Sequence, residues 1–252
     1  MMQTVSKIRL GVNIDHVATL RNARGTLYPD PLEMVKILEK LNVDGVTLHL
    51  REDRRHIIDT DLTRIIKYTN LPVNLEMAAT KEMQMIATKV IPNAVCLVPE
   101  RREERTTEGG LEVIKEENNL KLFLKPLIEK KIRISLFISP DPKQVEAASR
   151  VGASIIELNT GTFCELMLKN KKEEYLEELE KLNIAASLGS NLGLEIHGGH
   201  GLTYQSVKFI ASIPEIRELN IGHFLISQAV FDGIEIAIFK MRQEIDNSQK
   251  KL

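Results

Sequence analysis

Cysteine is nearly absent. Only Cys96 and Cys164 occur in 252 residues, each inside or just after an apolar run. Two such thiols make no disulfide framework and suit a reducing compartment. Neither sign of charge is in excess, because 34 Lys and Arg against 35 Asp and Glu leave a formal net charge of -1. Whole-molecule attraction to nucleic acid or to an acidic membrane is thereby excluded, and any anion must be held by a local cluster. No apolar run approaches the roughly 18 residues that span a bilayer. Met1 to Lys7 is too short and polar for a signal peptide, so a cytoplasmic protein is expected. No Gly-x-Gly-x-x-Gly follows an apolar run, which leaves nicotinamide and flavin binding without support. Low-complexity segments are lacking too.

What is present is alternation. Apolar runs of about five residues read as buried strands, and longer stretches of period 3.6 read as helices. The strands expected are Ile8 to Ile14, Gly45 to Leu50, Pro72 to Leu75, Ala94 to Val98, Ile132 to Ile138, Ser154 to Leu158, Gly193 to Ile196 and Glu218 to Ile221. Helices are expected from Asp30-Pro31, from Asp61, over Thr80 to Val90, Leu120 to Lys131, Ser139 to Arg150, around Lys169 to Glu174, over Thr203 to Ser212 and from Gly222 to Met241. Asp30 with Pro31, and Thr80, have the chemistry of helix caps. Eight strand and helix pairs predict one domain over residues 1-252, an α/β protein with a parallel eight-stranded (β/α)8 TIM barrel, or else a doubly wound open sheet. Pro99 to Leu111 is polar and aperiodic and reads as a long loop, and Asp246 to Leu252 as a frayed tail.

The titratable residues collect at strand ends. All six histidines, His16, His49, His56, His197, His200 and His223, lie near the ends of strands one, two, seven and eight, and only His223, at the start of the closing helix, falls on an expected helix. In a barrel such residues converge on the catalytic mouth. Strand one offers Asn13 and Asp15 to one face, although Asp15 could merely orient His16 or cap a turn. In Leu48 to His56 an apolar run containing His49 breaks into alternating charge, with Arg51 on the same side as His49 if the strand continues. Glu52, Asp53, Arg54 and Arg55 read as a solvated or self-paired loop. Glu76, set among apolar neighbours, suits proton transfer, as it would a structural ion pair. Glycines after strands seven and eight, in His197-Gly198-Gly199-His200-Gly201 and Asn220-Ile221-Gly222-His223, let backbone amides approach a phosphate. A zinc site from His49, His200, His223 and Glu76 is an alternative; against it stand the lack of a His-x-His pair on strand one and of a Cys near a His.

These motifs together resemble a known family. Gly11-Val12-Asn13-Ile14-Asp15-His16, Leu20-Arg21-Asn22-Ala23-Arg24-Gly25-Thr26, His49-Leu50-Arg51-Glu52-Asp53-Arg54-Arg55-His56, Asn74-Leu75-Glu76-Met77, Thr106-Thr107-Glu108-Gly109-Gly110, Gly199-His200-Gly201-Leu202-Thr203 and Leu219-Asn220-Ile221-Gly222-His223 occur in order across nearly the whole chain. They closely resemble those of pyridoxine 5'-phosphate synthases.

The resemblance implies a (β/α)8 barrel enzyme that condenses 1-deoxy-D-xylulose 5-phosphate with 3-amino-2-oxopropyl phosphate, giving pyridoxine 5'-phosphate, phosphate and water without metal or organic cofactor. It implies that His49 and Glu76 accept protons and that His200 donates one. Asn13, Arg24, Gly201, Gly222 and His223 would bind the aminoketone phosphate. Asp15, His16, Arg51, His56 and Thr106 would bind the sugar phosphate, with the Thr106 loop closing as a lid. The partners implied are phosphorylated small molecules and seven further copies in an octamer built from dimers, with extra helices making contacts. Two departures stand out. Gln228 replaces an Arg common in relatives, which would weaken an ion pair at the helix start. His197 stands where some relatives have Asn, which would change how His200 is oriented.

Overall fold

In the computed structural model, residues 7–100 and 109–250 are described. The chain enters β1 (Arg9–Asn13), turns at once into α1 (Asp15–Arg24) and continues into α2 (Pro31–Lys40). Strand and helix then alternate through β2 (Gly45–His49), α3 (Asp59–Tyr68), β3 (Val73–Met77), α4 (Lys81–Val90), β4 (Ala94–Leu97), α5 (Val113–Glu129), β5 (Arg133–Ile138), α6 (Pro142–Arg150) and β6 (Ile155–Asn159). Two helices, α7 (Gly161–Leu168) and α8 (Lys172–Asn191), precede β7 (Glu195–Gly199). The remaining elements are α9 (Tyr204–Ala211), β8 (Ile216–Ile221), α10 (His223–Asp232) and α11 (Ile234–Gln249). All strands are parallel and pair in sequence order, with β1 against β8 closing the barrel. The expected closed (β/α)8 barrel with extra helices is the fold found. Among the described residues no helix is long and apolar enough to cross a membrane.

Strand periodicity explains both what holds the barrel together and what it offers chemically. Val12, Leu48, Leu75, Leu97, Leu136, Leu158 and Leu219 point outward and are buried with the helix faces in one apolar core. Their alternates face the barrel axis and are largely polar. Across that axis Thr47 Oγ1 donates to Asn220 Oδ1 at 3.1 Å, and Asn220 Nδ2 donates to Glu157 Oε2 at 2.7 Å. Barrel interiors are usually filled by branched apolar side chains. Here Cys96, Val98 and Phe137 form only a small separate apolar cluster. At the N-terminal end an ion cluster plugs the barrel: Arg9 pairs with Glu195 and Glu218, Arg133 with Glu195 at 2.9 Å, and His197 with Glu195 at 2.7 Å and Glu218 at 3.5 Å.

Capping chemistry sets the helix starts. Asp30 accepts from Leu32 N at 3.0 Å with Pro31 in the first turn, and Thr80 accepts from Met83 N. Asp30 also holds Arg64 at 2.6 Å. Asp30→Ala is expected to cost about 1 kcal/mol, mostly from the lost cap, read as a lower urea midpoint at unchanged slope.

Four expectations change. Helix α1 is not among the expected helices and places His16 on a helix, while His223 opens α10 near the expected start of the closing helix. Both sit at helix starts facing the mouth end, so the convergence of histidines survives although the placement of His16 off a helix does not. The helix expected around Lys169 to Glu174 is two, α7 and α8, with Lys171 N returning to Leu166 O between them. The closing helix breaks at Gly233, whose φ of 79° is left-handed, and the expected fray from Asp246 is instead the last turns of α11, where Ser248 is buried. The long loop Pro99 to Leu111, with Thr106, lies mostly outside the described residues.

Candidate active site

Asp15 organises one side of the mouth. It opens α1, where the helix dipole favours a carboxylate, and both its oxygens are engaged. Oδ2 accepts from Asn13 Nδ2 at 2.9 Å and Oδ1 from the backbone N–H of His49 at 2.8 Å. Asn13 Oδ1 in turn accepts from Asp15 N at 2.9 Å. Asn13 and Asp15, expected on one face of an extended strand, are instead joined by a tight turn into a helix.

His49 ends β2 and is buried between two acids. Its Nε2 lies 2.7 Å from Glu100 Oε1 and its Nδ1 3.8 Å from Glu76 Oε2. Burial works to raise the pKa of Glu100, but the His49 hydrogen bond and charge, the Glu52 N–H and Arg51 outweigh it and hold the group below the usual carboxylate range. Glu76, on the inner face of β3 with its side chain 17% exposed, is driven the other way. Burial, then the neighbouring charges of Asp15 and Glu157, push its pKa well up, against a hydrogen bond from Asn13. An imidazole with an ionised acid on one nitrogen and a readily protonated acid near the other can pass a proton in either direction.

Glu157 lies deeper, on β6, beside Gly199, where any Cβ would collide with its carboxyl. Burial pushes its pKa up to about 7, opposed by His197 and by the Asn220 hydrogen bond. With the folded pKa above the unfolded value near 4.5, this group's stabilising contribution is complete below about pH 4.5 and is lost as pH rises through 7. Glu157→Gln should remove that loss. The stability gap between variant and wild type is expected to grow by about 3 kcal/mol between pH 4.5 and 8, measured by urea unfolding.

The segment after β2 is held by α1. Arg21, whose side chain is 10% exposed, forms a bidentate pair with Asp61, 2% exposed, at 2.7 and 2.8 Å. Arg21 Nη2 also donates to His56 O at 3.2 Å, and Asn22 Nδ2 to the same oxygen at 2.8 Å. Arg51 is buried and lies 3.4 Å from Asp53. His56 Nδ1 is 3.9 Å from Asp15 Oδ1. Burial lowers the pKa of His56; Asp15 opposes this, and His49 and Arg51 add to it. The charge run between them is self-paired only in part: Arg55 pairs with Asp53 at 2.7 Å, whereas Arg54 reaches beyond the run to Asp59 at 2.9 Å and to Glu82.

The opposite side of the mouth is built from glycine-rich turns. His200 has φ 78° and Gly201 φ 79°. For a histidine that backbone costs roughly 1–3 kcal/mol and persists only where its surroundings impose it. Thr160 holds the turn with its single hydroxyl proton shared between Gly199 O and His200 O, and Gly161 leaves the space that the His200 ring needs. Gly222 lets β8 close on Asn13, where a Cβ would strike the Asn13 side chain. Helix α10 then begins without a side-chain cap, leaving backbone N–H groups for an anion. His223 packs on His16 with centroids 4.8 Å apart. His16 Nδ1 is buried with no hydrogen-bond partner among the described residues, and burial lowers its pKa.

Asn13, Asp15, His49, Arg51, His56, Glu76, His16, His200, Gly201, Gly222 and His223 therefore all belong to the C-terminal ends of the strands or the turns that follow them. Arg24 does not. It is exposed in the last turn of α1, roughly 14 Å along the helix from Asp15. Thr106 lies outside the described residues. Reading from sequence missed Glu100 and Glu157. Glu157 was accessible, because strict alternation through Ile155–Asn159 turns it inward beside His197, whereas Glu100 sits just past β4 in an aperiodic stretch. Of the departures, Gln228 keeps a hydrogen bond to Asp232 at 3.0 Å and Lys240 supplies the cation at 2.8 Å. His197 is engaged by Glu195 and Glu218, in the ion cluster below the mouth. Among the described residues the side chains spaced to share a metal ion are Asp15, His49 and His56, a different set from the zinc alternative. A groove of about 520 Å³ lined by Lys40, Asn42, Phe239 and Arg242 lies at the other end of the barrel, away from these groups.

Known proteins resemble this chain over nearly its whole length. The family model described as pyridoxal phosphate biosynthesis protein PdxJ matches residues 10–247. A pyridoxine 5'-phosphate synthase of Ruegeria pomeroyi is 54% identical over 246 residues, covering 98% of this chain and 99% of the relative. One of Zymomonas mobilis is 52% identical over 240 residues, covering 95% and 92%. Among solved structures, tryptophan synthase from M. tuberculosis matches with a TM-score of 0.62 at 8% identity, covering 95% and 92%. Thiamine phosphate pyrophosphorylase from Pyrococcus furiosus matches with a TM-score of 0.60 at 11% identity, covering 98% and 100%. At such identities the structural likeness carries the barrel fold alone.

Proposed function

The chain belongs to the PdxJ family of pyridoxal phosphate biosynthesis proteins and is an enzyme of that kind, and from this premise we propose the reaction and the role of each residue. The substrates are 1-deoxy-D-xylulose 5-phosphate and 3-amino-2-oxopropyl phosphate, and the products are pyridoxine 5'-phosphate, phosphate and water. Joining an amine to a ketone and closing an aromatic ring needs several proton transfers, loss of water and departure of phosphate. His49 and Glu76 accept protons and His200 donates one. The observation that carries this reading is His49 held between Glu100 and Glu76, two carboxyls whose surroundings drive their pKa values apart.

The aminoketone phosphate sits over the uncapped start of α10, with Gly222, His223, Gly201 and Asn13 around it. The sugar phosphate lies against Arg51, His56, His16 and Asp15, with Thr106 assigned there by its motif. Arg24 reaches a phosphate from a neighbouring copy, because in its own chain it lies a helix length from Asp15. Its place in an octamer built from dimers accords with the exposed Leu27 and Tyr28 just beyond α1 and Val230 and Phe231 on α10. The enzyme works in the cytoplasm without metal or cofactor.

The test is chemical. Purified protein given both substrates and EDTA is expected to accumulate pyridoxine 5'-phosphate and an equivalent of phosphate. Folded protein that consumes neither substrate would refute the assignment.

A further inference from the structure

We propose that Asp15, His49 and His56 form a binding site for a divalent ion of the zinc class, and that an ion held there blocks the mouth. One ligand atom of each residue lies within 4.8 Å of the others. The three come from separate pieces of backbone: the start of α1, the end of β2 and the segment before α3. In a filled tetrahedral site such atoms stand about 3.3 Å apart, so closing on an ion asks for side-chain movements on the order of 1 Å.

Two of the three ligands are already oriented. The two oxygens of Asp15 are fixed by Asn13 Nδ2 and the His49 N–H, each keeping a lone pair. His49 Nε2 is paired with Glu100 at 2.7 Å. A carboxylate on one nitrogen of an imidazole is the arrangement that orients metal-binding histidines and raises their basicity. Here it leaves Nδ1 as the other ring nitrogen, on the Glu76 side.

Electrostatics point the same way. Asp15, Glu76 and Glu100 all converge on His49. The nearby cation Arg51 opposes an ion but is itself turned to Asp53. Two imidazoles and one carboxylate suit Zn2+ or Co2+ better than Ca2+ or Mg2+.

The consequence rests on the proposed function. His49 is the base there, and Asp15 and His56 hold the sugar phosphate, so ion and substrate exclude one another. The binding itself does not rest on that function and is tested without substrate. EDTA-stripped full-length protein is titrated with Zn2+ by calorimetry and with Co2+ by visible absorption, melting curves confirming that each variant is folded. One ion per chain is expected. Glu100→Gln should loosen it by about 10–100-fold, Asp15→Asn and His56→Ala at least as much, and His223→Gln, outside the cluster, should bind as wild type does. Absence of saturable binding, or binding that survives both Asp15→Asn and His56→Ala, overturns the site. In turnover, Zn2+ should raise the apparent KM for the sugar phosphate at unchanged kcat. Activation by Zn2+, or inhibition that saturating sugar phosphate does not relieve, overturns the blocking role. A protein inactive under EDTA that still binds one ion as described would sink the proposed reaction and leave the ion site standing.

Discussion

Glu76→Gln is expected to lower kcat by about 10²–10⁴-fold, the range for a lost general base, while leaving the protein at least as stable as wild type. The carboxyl stands on the inner face of β3 with Asp15 and Glu157 as neighbours, and burial with their charges raises its pKa well above the ordinary value. Ionising it in the folded protein therefore costs free energy. Its contribution to stability is complete below the usual carboxylate range and is lost as pH rises through the raised value. Glutamine keeps the shape and a partner for Asn13 but never ionises, so the advantage of the variant in melting temperature should widen with pH. A structural ion pair would give the opposite result, a fall in melting temperature with kcat held. Measuring kcat and melting temperature on one preparation separates the two.

Asp61→Ala is expected to be the most destabilising of the substitutions considered, by about 3–5 kcal/mol, because it leaves the Arg21 guanidinium buried and unpaired. Asp61 also receives the Ile58 N–H at 3.1 Å at the start of α3, so the helix loses a cap as well. Arg21 and Asn22 together hold the carbonyl of His56. At a temperature where the variant is still folded, its KM for the sugar phosphate should rise more than its kcat falls. Equilibrium unfolding in urea gives the first number and initial rates give the second. A change under 1 kcal/mol would mean that water reaches the pair and that α1 is not what fixes His56.

How much of this was legible in the sequence follows from the range of the interactions involved. The eight strands were readable because their outward faces are uniformly apolar, and the starts of α2 and α4 because Asp30 and Thr80 are local caps. Helix α1 was not, since it has no side-chain cap and carries a weak apolar stripe in Asp15–Arg24, stabilised instead by a partner 40 residues away, Asp61. The break at Gly233 depends on a left-handed turn that a single glycine does not announce. In the site, residues on strand ends were found because barrel geometry converges them. Glu100 escaped because its role comes from folding back onto His49, 51 residues earlier, and the strained backbone of His200 has no local signature at all.

The most direct test is where the two phosphates lie when both substrates are bound, read from a crystal structure of the Glu76→Gln protein, whose slowed turnover should hold them. One phosphate is expected over the first turn of α10 beside Gly201, Gly222 and His223. The other is expected against Arg51 and His56, with the reacting carbons between His49 and His200. Phosphates bound instead in the groove at the N-terminal end of the barrel, or a mouth that stays closed to both, would contradict the assignment of the mouth as the active site.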